Sequence, residues 1–161
     1  MKIISAVFAL AICALAASPA LAQQATPVDT KTISDCVKKA DESGEFGGAC
    51  IGIIADPCIK AASGKNNDVE NSRKCATREL AVWTALTSAA AKKAKAGGFK
   101  DVSAAVAESE KGWTQLRDKL CPAFDKIEPG FLPGDAAYCR MQVTAHRALL
   151  LRRLGDAVNE H

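Results

Sequence analysis

Apolar residues recur at steps of three and four along most of this chain, the spacing of an amphipathic α-helix. The clearest run is Val69, Ala76, Leu80, Trp83, Leu86 or Thr87, Ala90 and Ala94. Asn67 and Glu70 precede it with the spacing of a capping box, and Gly97-Gly98 closes it, so a long helix is predicted between them. Its alanine-rich end, Ala89-Ala90-Ala91, permits close helix approach. A second long helix is predicted from Asp101 or Ser103, with Val102, Val106, Ser109, Trp113, Leu116 and Leu120 in the same period; Pro122 ends it near Cys121. A third begins after Gly134, with Asp135 as its cap. Cys139, Val143, His146, Leu150 and Leu154 share its apolar face, while Arg140, Arg147, Arg152 and Arg153 make its exposed face basic.

The elements before these are shorter. A helix is predicted from Thr30 or Lys31 to residue 41, with Ile33, Cys36, Val37 and Ala40 on one side. Residues 49–54 are apolar and β-branched enough for a strand, but helix is preferred. Asp56 then serves as N-cap and Pro57 as first helical residue of a second piece reaching about Ala62. Residues 124–133, with two prolines and a glycine, form an ordered loop whose Phe131 and Leu132 tuck against the core. The predicted fold class is all-α: a disulfide-stabilised helical bundle with three long helices plus one or two short N-terminal helices.

The first 22 residues alter the domain picture. Lys2, the apolar run 3–17 and the small-residue site Ala20-Leu21-Ala22 read as a secretory signal peptide cleaved after Ala22. The run falls short of the roughly 20 residues of a spanning helix, so no stable membrane insertion is expected once it is removed. Leu10-Ala11-Ile12-Cys13 loosely resembles a lipidation box, but Ile12 is too large for that signal. Residues 23–30 are expected to be a loose polar leader and 31–161 a single domain. The expected location is the periplasm or outside the cell. Loss of Lys2 takes 21 basic residues to 20, against 18 acidic ones. That near-neutral balance excludes a dedicated nucleic-acid binder with a concentrated basic patch.

Loss of Cys13 leaves Cys36, Cys50, Cys58, Cys75, Cys121 and Cys139. An even number in an exported chain implies three disulfides. Cys121 and Cys139 bracket the Pro/Gly loop, and pairing them closes about 18 residues, worth about 3 kcal/mol in the chain-entropy view. The other four pair as Cys36–Cys50 with Cys58–Cys75, or as Cys36–Cys75 with Cys50–Cys58; the spacing leaves both open. With no CxxC pair and only His146 and His161 to assist, no metal site and no cofactor are expected.

Catalytic motifs are missing: there is no GxSxG, HExxH, Walker loop or GxGxxG. His146 reads as a core histidine, and the paired cysteines leave no thiol nucleophile, so the chain is not expected to be an enzyme. Cys75, Glu79 and Trp83 lie at steps of four, and so do Trp113, Arg117 and Cys121. If the first two long helices pack antiparallel, tryptophan meets tryptophan and Glu79 approaches Arg117, with Arg147 as a third charge. This set reads either as a register-fixing ion pair beside core aromatics, which is favoured, or as an acid and a sugar-stacking platform.

Four motifs in order carry a resemblance: C-I-G-x5-C at Cys50 to Cys58, C-x3-E-x3-W at Cys75 to Trp83, W-x3-R-x3-C at Trp113 to Cys121, and C-R-M-x2-T-x2-R at Cys139 to Arg147. Together they resemble the lysozyme-inhibitor LprI-type domain, over roughly residues 36–154. The resemblance implies an exported, helical, disulfide-stabilised domain and places Glu79, Trp83, Trp113, Arg117, Arg147 and the cysteines on the family motif. Past Trp83 the chain departs from the family's usual polar and aromatic residues, reading Thr84, Leu86-Thr87 and Ala90. The implied function is a non-enzymatic binding protein that inhibits a lysozyme. The alternatives are an envelope carbohydrate-binding or hydrolytic module using Trp83, Trp113 and Glu79, and a structural partner of another envelope protein.

Overall fold

The computed structural model describes residues 25–65, 67–127 and 135–160. The expected signal peptide, Cys13, leader residues 23 and 24 and the Phe131–Leu132 contact lie outside them. Helix α1 spans Pro27–Glu42, so it begins ahead of Thr30 and takes in part of the expected loose leader. The cause is a capping box. The Thr26 hydroxyl accepts from the Asp29 amide at 3.2 Å, and the Asp29 carboxylate accepts from the Thr26 amide at 2.8 Å. Pro27 fits the first turn, where its missing N–H is not needed.

Residues 49–54 do not form the expected continuous helix. Gly48–Cys50 make a single 3-10 turn, and Gly47 and Gly52 adopt φ of 81° and 91°, left-handed conformations that interrupt a helix. Helix α2 then spans Ala55–Ala62, with Ile54 rather than Asp56 at its N-cap and no side chain of its own capping it. Helix α3 spans Asp68–Ala96. The Asn67–Glu70 capping box is not made, because Asn67 sits at φ 61°; the Val69 amide instead donates to the Asp68 carboxylate at 2.7 Å. Gly97 caps the far end as expected.

Helix α4 spans Lys100–Leu120. A 3-10 turn, Cys121–Ala123, leads into the four-residue helix α5, Phe124–Ile127, where a loop was expected. Helix α6 spans Asp135–Ala157. No strand occurs among the described residues. The fold is all-α and disulfide-stabilised.

The main seam of the core is α3 against α6, two helices that run parallel. Arg73 pairs with Asp135 at 3.2 Å, the Thr87 hydroxyl donates to the Thr144 carbonyl, and Ala94 faces Gly155. A Cβ added at Gly155 would stand 3.3 Å from the Ala94 nitrogen, so glycine sets the closeness of that crossing. Helix α4 is the antiparallel return between them. The core groups Ile33 and Val37 of α1 with Val82 and Trp83 of α3 and Met141, Ala145, Ala148 and Leu149 of α6.

The face expected for α6 is turned. His146 is exposed, and so is Leu150 at 58%. Arg147, expected on the basic solvent face, is 8% exposed. Small and apolar residues ring most of this helix because it packs against α3, α4 and the 3-10 turn at once, so periodicity alone selects no single face. Helix α4 is the opposite case: only Val106 is fully buried, and Leu116 and Leu120, expected to be inside, are exposed at 58% and 49%.

The disulfides are Cys36–Cys50, Cys58–Cys75 and Cys121–Cys139. The expected pair between the last two long helices is present, and the first of the two open alternatives holds for the other four cysteines.

Candidate functional site

The C-I-G-x5-C and C-x3-E-x3-W segments prove to be two halves of one constellation. Glu79 is completely buried and does not meet Arg117. Its carboxylate accepts four N–H groups: from Gly52 at 2.7 Å, Ile54 at 2.9 Å, Ala55 at 2.7 Å and the Trp83 indole at 2.8 Å. The first amides of α2 lack intrahelical acceptors, and a carboxylate beside a helix N-terminus is favoured by the dipole. Glu79 is therefore the cap of α2, supplied from another helix 24 residues along the chain. One face of α3 thus holds α2 in place. Cys75 bonds it through Cys58, Glu79 caps it, and Trp83 orients Glu79. Gly52 completes the arrangement, because a Cβ there would lie 2.4 Å from a carboxylate oxygen of Asp56. Asp56 in turn accepts from the Tyr138 hydroxyl at 2.8 Å. Burial first, and that hydrogen bond second, push the phenol up to about 12.

The other two motifs meet in the same way. Trp113 does not contact the cluster around Trp83. Two guanidinium groups lie over its ring, Arg117 at 4.7 Å and Arg147 at 5.0 Å from the ring centre, a doubled cation–π contact. Arg117 bonds Asp118 at 2.7 Å, and Arg147 bonds Glu110 at 2.6 Å and Ser109 at 3.3 Å. With Cys121–Cys139, this stack fastens α4 to α6. Glu79 and Trp83 are at 0% exposure, so a sugar reaches neither, and the carbohydrate-binding or hydrolytic reading, which needs both exposed in a cleft with Trp113, does not hold; Trp113 itself is half-buried.

The described residues also form a concave surface of which the helical period gave no sign. A groove of about 420 Å³ runs between α1, α3 and α6. Val37, Leu86, Ala89, Ala90, Ala148 and Leu149 line its floor, above the buried Trp83. Ala90 and Ala91 admit close helix approach as expected, packing with Val106 of α4 and Leu151 of α6, while Ala89 is exposed at the groove. Its mouth carries Lys38, Asp41, Lys93, Arg152 and Asp156. Lys93 bonds Asp156 at 2.6 Å, and Arg152 bonds Asp41 and lies 3.6 Å from Asp156. No group of three metal-ligating side chains occurs among the described residues, and no helix there is long and apolar enough to cross a membrane.

Motif residues spent on scaffold, with three cystines clamping short helices to long ones, define a class of small disulfide-built helical domains. Within it, the chain belongs to the lysozyme inhibitor LprI family, whose sequence model matches residues 58–151, more than half its length. Comparison with curated proteins and with solved structures returned no match.

Proposed function

We propose that this chain is an exported binding protein of the periplasm or the extracellular space that inhibits a lysozyme and performs no catalysis itself. The family match over residues 58–151 carries the proposal. Three disulfides suit an oxidising compartment, as does a signal-like N-terminus. The chemistry of the motif residues agrees with a role by contact: Glu79, the one fully buried acid of the matched motifs, has its oxygens taken up by four N–H groups inside the fold.

The test is inhibition of chicken-type, goose-type and invertebrate-type lysozymes by the purified, oxidised protein. Saturable inhibition of at least one at micromolar concentration is expected. Failure against all three removes the proposal.

A further inference from the structure

Helix α4 carries a seam that the body covers only in part. Val102, Val106, Ser109, Trp113, Leu116 and Leu120 recur at alternating steps of four and three, the spacing of a helix that packs against a neighbour along its length. At the first positions the neighbour is present: Val106 is buried and Val102 packs against the cluster of Ala94 and Leu151. At the last two, in the same register, Leu116 is 58% and Leu120 49% exposed. Gly112 stands one turn before Leu116. A glycine in mid-helix is disfavoured against alanine, and no internal contact asks for one here, because an added Cβ would meet nothing within 4 Å. It leaves a notch beside Leu116. Lys119, next to both leucines along the helix, is exposed. Among the described residues no carboxylate pairs with it, and the adjacent Asp118 is taken by Arg117. From 115 to 120 every residue but Arg117 is exposed. This half of α4 is therefore a convex apolar edge, notched at one end and cationic beside its leucines.

We infer that this edge, Gly112 to Leu120, enters the substrate cleft of the inhibited lysozyme. The inference rests on lysozyme inhibition and adds where the contact is made. A glycosidase cleft is concave and carries a pair of carboxylates at the scissile bond. A protruding helix edge complements its shape, the two leucines leave water against its walls, and the Lys119 ammonium complements its charge.

Variants at exposed positions test it, with an unchanged urea midpoint showing that the fold is retained. Leu116→Glu is expected to raise the inhibition constant against the susceptible lysozyme at least about tenfold, and Lys119→Glu to raise it several-fold. Leu150→Glu, at an equally exposed leucine of α6, is expected to leave it unchanged. A chitin trisaccharide that fills the cleft is expected to compete with the wild-type protein for the lysozyme. Undiminished inhibition by Leu116→Glu, an equal loss in Leu150→Glu, or binding indifferent to the trisaccharide overturns the inference and leaves lysozyme inhibition standing. So does a wild-type dimer, seen by light scattering, that Leu116→Glu makes monomeric with inhibition intact, which assigns the edge to a second copy. A wild type that inhibits none of the three lysozymes removes the inhibition and the inference together.

Discussion

Glu79 and Asp29 are both buried acids, and each is satisfied in a different way. Glu79 takes only uncharged N–H donors, whereas Asp29 accepts two bonds of 2.7 Å from Arg78 and one from the Thr26 amide. In Glu79→Gln, one oxygen becomes an NH2 aimed at N–H donors. Losing two or more charge-assisted bonds at about 1.5–3 kcal/mol each is expected to lower stability by about 3–5 kcal/mol, read from the urea midpoint. Asp29 titrates in a defined window. The Arg78 guanidinium above all, helped by the Thr26 bonds and opposed by burial, lowers its pKa from 3.8 to about 2. A depressed acid adds stability that is complete above pH 3.8 and is lost as pH falls toward 2, here about 2 kcal/mol. Unfolding curves between those values are expected to show this loss in the wild type and not in Asp29→Asn. Glu79 was legible in the sequence as a motif residue but its partners were not, and Asp29, which pairs with Arg78, was expected to lie in a loose leader. Three of the four donors to Glu79 are backbone amides, which carry no side-chain signature, so the sequence reads as pairing it with a cation, Arg117; the fourth, the Trp83 indole four residues on, is the one the helical spacing could have suggested.

Helices were legible where period and punctuation agreed, as in α3 with its Gly97 stop, and misread where a glycine or a remote group decided. Gly52 is the case in point. Its φ of 91°, its amide to Glu79 and the missing space for a Cβ break residues 49–54 into turns. Gly52→Ala is expected to cost about 1–3 kcal/mol, with the loss seen in thermal unfolding. The pairing of helices was misread for another reason. Chain neighbours α3 and α4 were expected as an antiparallel pair with tryptophan against tryptophan, but the close packing joins α3 to α6 through Gly155, Ala94 and Thr87. That leaves α4 with Val106 as its one fully buried residue, held mainly by the Trp113 stack and Cys121–Cys139. Amides of α4 are therefore expected to exchange through local openings, with protection well below that of α3 and α6. Trp113→Ala is expected to widen that gap, as followed by NMR hydrogen exchange.

Across the whole molecule, the three disulfides each close a short loop, with cysteine separations of 14, 17 and 18 residues. At about 3 kcal/mol apiece, their sum is comparable to the ~5–15 kcal/mol that holds an ordinary domain together. Reduction is expected to abolish the cooperative fold at neutral pH, seen as loss of the far-UV helical signal. This dependence links scaffold to function, because the motif residues that identify the family build the scaffold and leave binding to the surface they support. Steady-state lysis assays with a lysozyme of each type, run beside oxidised and reduced samples of the protein, test that link most directly. The expected result is saturable inhibition by the oxidised protein and none by the reduced one. A correctly folded, fully oxidised protein that leaves all three lysozymes unaffected at micromolar concentration would contradict the account.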